Sequence, residues 1–280
     1  MNHSIRHAAA AALLLAAAGA QAANVLVVLS DEARLELRGG RGFETGFYAN
    51  ELMQPVKKLL DAGHSVTFAT PLGKAPTVDR NSLDPSYFGG EAAMAEHLAL
   101  MEKLRITAAD SPVVSLARVE QGGYGRYDAL YVPGGHAPMQ DLTRNPALGR
   151  LLKHFHAAAK PTALVCHGPA ALLSALDDKG RLVGQLESGA SAAPAAGWIY
   201  KDYRMTVISN TEEDAAKPML KGGEMKYTPQ TALERAGGKY SSAADWTPHM
   251  VVDRELITGQ NPASAIAVAD ALLSRLAPHR

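Results

Sequence analysis

The residues of this chain that could do chemistry fall in two short turns. Its single cysteine, Cys166 in 280 residues, opens the run Cys166-His167-Gly168-Pro169 directly after the apolar segment Thr162-Ala-Leu-Val165. A cysteine at a strand-to-helix corner faces the positive end of a helix dipole, and a strained turn pushes its sulfur outward. Both effects favour ionisation, and the thiolate is the nucleophile. Backbone N–H groups of the same turn are suited to hold a developing oxyanion. Only half of a Gly-x-nucleophile-x-Gly elbow is present, since Leu164 stands at the first glycine position and Gly168 at the last. His167 has two readings: its ring activates the thiol, or its N–H serves the oxyanion. The second turn is Pro133-Gly134-Gly135-His136, after Tyr127-Asp-Ala-Leu-Tyr-Val132. Its glycines allow close backbone approach, and Gly134 and His136 are read as lining a substrate crevice. His154 and His156, two apart on a helix, do not share a face, and no metal is assigned to the chain.

Those turns need a scaffold. Asn24 to Leu29 is a continuous apolar run that predicts a buried strand. Phe47 to Leu60 predicts a helix ending near Gly63, and Ser65 to Ala69 a second strand. Thr70 to Gly90, with its prolines and glycines, predicts a loop. Glu91 to Arg105 predicts a helix that sets Met94, Leu98 and Met101 into the core. Leu148 to Ala159 predicts a helix, as does Ala170 to Leu176 with Pro169 in its first turn. After Gly180 the pattern weakens. Gly184 to Tyr203 is rich in Gly, Ala and Ser, Met205 to Ser209 is a short strand candidate, and Thr231 to Ala236 reads as a helix. His249 to Val252 and Glu255 to Thr258 predict two strands, and Asn261 and Pro262 cap a last helix to Leu276. Alternating strands and helices argue for a mostly parallel sheet covered on both faces. In such a sheet ligands sit beyond the carboxyl ends of the strands, where both turns fall.

Composition narrows the partners. With 28 basic and 28 acidic side chains and 47% hydrophobic residues, the chain has no electrostatic reason to seek nucleic acid or an anionic membrane, and it is not disorder-prone. Arg6, the apolar run Ala8 to Ala20 and the small-x-small triplet Ala20-Gln21-Ala22 predict a signal peptide over residues 1–22 and an exported, periplasmic product without stable membrane insertion after cleavage. Residues 23–280 are then one domain. A lone thiol in an oxidising compartment calls for burial or chemistry, and as a redox sensor it would lack a resolving cysteine.

Phe43-Glu-Thr-Gly-Phe-Tyr-Ala-Asn-Glu51, Tyr131-Val-Pro-Gly-Gly-His136, Ala163-Leu-Val-Cys-His-Gly-Pro169 and Leu256-Ile-Thr-Gly-Gln-Asn-Pro-Ala-Ser264 resemble the DJ-1/PfpI superfamily, closest to its Hsp31-like, glutathione-independent glyoxalase branch. The resemblance implies an α/β flavodoxin-like (class I glutamine amidotransferase-like) sandwich with small cap insertions, and a homodimer. It implies Cys166 as nucleophile and His167 as its neighbour. Glu51, on residues alone a carboxylate of a solvated helix face, becomes the acid beside the sulfur. Glu213 becomes the triad carboxylate, with Glu212 and Asp214 as register alternatives. Gly135 and His167 would supply the oxyanion-hole N–H groups. The implied reaction converts small α-oxoaldehydes such as methylglyoxal to hydroxy acids, with no cofactor. The alternatives are a holdase chaperone of the cell envelope and a PfpI-type cysteine peptidase or amidase. A glutamine amidotransferase in the strict sense is disfavoured, because the chain holds no His-x-Glu pair.

Overall fold

Val25 to Val28 expose no surface, and they form β1 (Asn24–Val28) inside a seven-stranded sheet. The computed structural model describes residues 22–190 and 197–277; apart from Ala22, the expected leader lies outside the described residues. The remaining strands of the sheet are β2 (Ser65–Thr70), β3 (Val114–Ser115), β4 (Ala129–Val132), β5 (Thr162–Val165), β6 (Met250–Asp253) and β7 (Leu256–Gly259). Their order is β6-β7-β5-β4-β1-β2-β3. Every neighbour pairs in parallel except the antiparallel edge pair β6 and β7. Val27 registers against Phe68 on one side and Tyr131 on the other, while Leu164 lies between Val132 and Thr258. Strands buried on both faces read as unbroken apolar runs, which is why β1, β4 and β5 stand out in the sequence, whereas the two-residue, half-buried edge strand β3 is not marked there. The result is the expected flavodoxin-like α/β sandwich.

Five helices matter for the site: α1 (Ala49–Asp61), α2 (Glu91–Lys103), α3 (Pro146–Ala157), α4 (Asn210–Ala216) and α5 (Ala265–Leu276). α1 buries Leu52, Met53, Val56 and Leu59 and packs against α2 and α5. Its first N–H groups are tied down from two directions. The Ser82 hydroxyl accepts from the Ala49 N–H at 2.9 Å, and Tyr48 N–H donates to the Gly134 carbonyl at 3.3 Å. That second bond links the start of α1 to the turn after β4. Among the described residues no helix is long and apolar enough to cross a membrane.

Four expectations need correction. α2 buries no residue fully; Met94, Leu98 and Met101 are half-buried, because this helix lies outside α1 rather than on the sheet. The segment after Cys166 is a 3-10 helix, Gly168–Ala175, packed against α3. Lys179–Ser188, which includes part of the Gly/Ala/Ser-rich stretch, is an α-helix capped by the Asp178 side chain. Asn210–Ala216, between the Met205 strand candidate and the Thr231 helix, where the weak pattern predicts no element, folds as a helix, α4, in which a capping box stands in for a long apolar stripe.

Candidate active site

Four pieces of chain converge beyond the carboxyl ends of β4 and β5. The turn after β5 carries Cys166, held in the left-handed region at φ 60°. A non-glycine residue costs on the order of 1 kcal/mol or more there, so its surroundings must over-determine it. They do: Cys166 N–H donates to the Gly259 carbonyl at 2.9 Å, and its own carbonyl accepts from Ile208 N–H at 3.1 Å.

The turn after β4 closes over the sulfur. Gly134 has room for hydrogen alone, because a Cβ there would lie 2.7 Å from each of Cys166 Cβ, Glu51 Oε2 and the His167 nitrogen. Its N–H donates to Glu51 Oε2 at 2.7 Å. Gly135, at φ 87°, directs its N–H toward the Cys166 sulfur and favours the anion there. The cavity at the sulfur is lined by His136 and not by Gly134, so Gly134 serves the Glu51 carboxylate rather than the substrate crevice.

Glu51 projects from the first turn of α1 and is completely buried, which overturns the solvated-face reading of that position. Burial pushes its carboxyl up to about 8, while contacts with Cys166 and the Gly134 N–H pull the other way. Burial likewise pushes the Cys166 thiol well up, and the adjacent Glu51 carboxylate adds to this. The expectation of a freely ionised thiol is therefore corrected. The dipole and N–H donors of the turn are outweighed by desolvation and a neighbouring negative charge. Both shifts keep protons on Glu51 and Cys166 at neutral pH, and because the two groups interact directly they titrate as one unit.

His167 spans the other side. Its Nδ1 lies 3.3 Å from Cys166 Sγ, and its Nε2 lies 2.8 Å from Glu213 Oε1. Burial works against the Glu213 carboxylate, but the His167 and His136 rings outweigh it and hold the carboxyl well below the ordinary range. An ionised Glu213 only accepts, so His167 Nε2 carries the proton and Nδ1 turns its lone pair to the thiol. Burial, then the neighbouring His136, lowers the His167 pKa and keeps the ring neutral.

The register alternatives separate by their partners. Glu212 is consumed by structure: its carboxylate accepts from Ser209 N–H, Trp246 N–H and Asn261 Nδ2. Asp214 pairs with Lys217 at 2.6 Å on the surface. Glu213 alone of the three reaches His167. His136 packs its ring 4.2 Å from that of His167. His156 pairs with Glu255 at 2.7 Å, away from these groups.

Sequence reasoning missed most of the wall. Tyr48, Tyr87, Ile208, Met219 and Trp246 line the cavity of about 50 Å³ that reaches Cys166. They come from five separate segments, and only the fold brings them together. A larger cleft of about 850 Å³ is lined by Arg34, Arg41, Arg80 and Lys221 and shares Met219 with this cavity, but it contains none of the four convergent side chains.

A parallel α/β sheet with a cysteine on a strained corner, a histidine beside it and two buried carboxyls defines a cysteine-nucleophile class of site. The ThiJ/PfpI family-like model matches residues 43–218, and the chain belongs to this family, within the DJ-1/PfpI superfamily. It is 30% identical to a glutamine amidotransferase-like class 1 domain-containing protein of Danio rerio over 165 residues, 58% of this chain and 67% of that protein. It is 25% identical to the protein/nucleic acid deglycase HchA of Staphylococcus aureus over 240 residues, 85% of this chain and 74% of that protein. The solved structure of glyoxalase III from Candida albicans superposes with a TM-score of 0.68 at 20% identity, over 90% of this chain and 97% of the other, and shares the fold.

Proposed function

We propose that the protein is an enzyme of the deglycase and glyoxalase type that converts small α-oxoaldehydes, methylglyoxal among them, to hydroxy acids without glutathione. The observation that carries this reading is the buried Glu51 carboxyl beside Cys166, opposite a neutral His167 tied to Glu213. The chemistry needs one nucleophile and a proton carrier on each side of it. The cavity of about 50 Å³ is small and suits a substrate of few atoms. The name carried by the Staphylococcus relative fits the same opening step, addition of sulfur to a carbonyl carbon.

In the first step the thiol proton passes to His167 Nδ1 as the sulfur bonds to the aldehyde carbon, and the carbonyl electron pair moves onto oxygen. The N–H groups of Gly135 and His167 receive that oxyanion. His167 returns its proton to that oxyanion. The neutral ring, or Glu51 in its carboxylate form, then takes the proton from the hemithioacetal carbon and hands it to the ketone oxygen, giving an enediol whose first hydroxyl later yields the proton for the second carbon. Reprotonation at the second carbon leaves a thioester of the hydroxy acid. Water hydrolyses it and returns the sulfur and its proton. One carbon is oxidised and its neighbour reduced, so no external oxidant is required.

Export is proposed on the leader-like residues 1–22 alone. The test of the activity is direct: the purified chain turns methylglyoxal into lactate in buffer free of glutathione, and Cys166→Ala does not. Equal rates for the two proteins, or no turnover by either, would remove this reading.

A further inference from the structure

His136 has no task in the sequence of steps above, yet it is only 4% exposed, and neither of its ring nitrogens has a hydrogen-bond partner. A buried polar group left without a partner is destabilising unless something else compensates it. The ring is held in place regardless: the edge of Phe43 meets it at 5.3 Å, and the His167 ring lies 4.2 Å away. Its Nε2 points at the carboxylate that holds His167, 3.8 Å from Glu213 Oε2.

Two imidazoles and a carboxylate thus offer three donor atoms within 4.8 Å of one another. Tetrahedral zinc, with bonds of about 2.0–2.2 Å, sets its ligand atoms about 3.3 Å apart. The spacings here are 2.8 Å from His167 Nε2 to Glu213 Oε1 and 3.8 Å from His136 Nε2 to Glu213 Oε2, and with all three donors within 4.8 Å of one another shifts of up to about 1.5 Å bring them to the zinc spacing. All three residues line the cavity at Cys166, which gives an ion an entry path and leaves a fourth position for water or an inhibitor.

We propose that His136, His167 and Glu213 form a zinc-binding site whose occupation switches the enzyme off reversibly. The consequence for activity rests on the reading given under Proposed function; the binding does not. Zinc at His167 Nε2 takes the place of the ring proton that Glu213 accepts. That proton moves to Nδ1, the ring stays neutral, and no net proton is released. Nδ1 then presents N–H to the sulfur where it had presented a lone pair, and it can no longer take the thiol proton.

The test separates binding from turnover. Cys166→Ala removes the thiol as a competing zinc ligand and is titrated with zinc chloride by calorimetry. One ion per chain is expected, with affinity reduced about a hundredfold or more in Cys166→Ala/His136→Gln, given that loss of an outer-shell partner alone costs 10–100-fold. Crystals of Cys166→Ala grown with zinc give a reading that does not depend on the second variant folding. An anomalous peak bonded to His136, His167 and Glu213 supports the site. No saturable binding, a peak only elsewhere, or equal affinity in both variants overturns it. With the native chain, methylglyoxal turnover is expected to stop on adding zinc and to return with EDTA. Turnover unaffected by saturating zinc overturns the switch, whereas a chain that binds zinc at these residues but never turns over methylglyoxal overturns the activity and leaves the site standing.

Discussion

Glu51 and Cys166 show why a catalytic pair must be treated as one titrating unit. The thiol is held protonated by burial and by the carboxylate at its side, and the carboxyl is raised to about 8 mainly by burial. Replacing Glu51 by Gln removes the titrating carboxyl, and with it the charge it acquires on ionising, while keeping the size and the bond from Gly134 N–H. Two effects of opposite sign are expected. The thiol becomes easier to ionise, seen as a downward shift in the pH dependence of its alkylation by iodoacetamide. The enzyme nevertheless slows, by about 10²–10⁴ in kcat, because the proton carrier is gone. A variant that alkylates more readily and also keeps native kcat would show that Glu51 is not the proton carrier. The sequence indicated the nucleophile through residue type and place, a cysteine at the end of an apolar strand. It gave no local sign of the acid: Glu51 looks like any helix carboxylate until the turn after β4 is laid over it.

At the scale of elements, legibility followed burial. β1, β4 and β5 are covered on both faces, and their apolar runs mark them without help from the fold. α4 is short and polar, and its position is decided by hydrogen bonds at its start, so hydrophobic periodicity has nothing to detect. Its signal was nonetheless present as Ser209-Asn-Thr-Glu212, a capping box in which Ser209 Oγ accepts from Glu212 N–H at 3.0 Å and Glu212 Oε2 accepts from Ser209 N–H at 2.9 Å. That box fixes the phase of the helix and thereby which carboxylate faces inward. Ser209→Ala is expected to lower stability by about 1 kcal/mol, read from the urea midpoint. It is also expected to lower kcat, because Glu213 follows the cap by four residues and loses its fixed distance to His167. Loss of stability with kcat unchanged would mean that Glu213 is positioned by its contact with His167 alone.

For the whole molecule, the buried titrating groups make stability depend on pH in a direction unusual for carboxylates. Glu51 is raised from 4.5 to about 8, and Asp141, buried beside Ser30 and Asp31, from 3.8 to about 7; burial is the leading cause for both. Above pH 4.5 the folded chain keeps protons there that the unfolded chain has released, so stability falls as pH rises, by about 1.4 kcal/mol per unit for each fully differing proton. His167 and Glu213 act in the opposite sense. Both are lowered in the folded state, so the unfolded chain takes up protons that the folded chain refuses, below the ordinary histidine value of 6.5 for the first and below the ordinary carboxyl value of 4.5 for the second. Between pH 6.5 and 8 nothing among these four groups opposes the two raised carboxyls, and their combined effect is a loss of about 2–3 kcal/mol. Urea unfolding followed from pH 5 to pH 8 is expected to show a steadily falling midpoint, and Glu51→Gln/Asp141→Asn a much flatter one. A native midpoint that rises across this range would mean that Glu51 enters the folded chain as a carboxylate, and the proton shared with Cys166 would then have to be sought elsewhere.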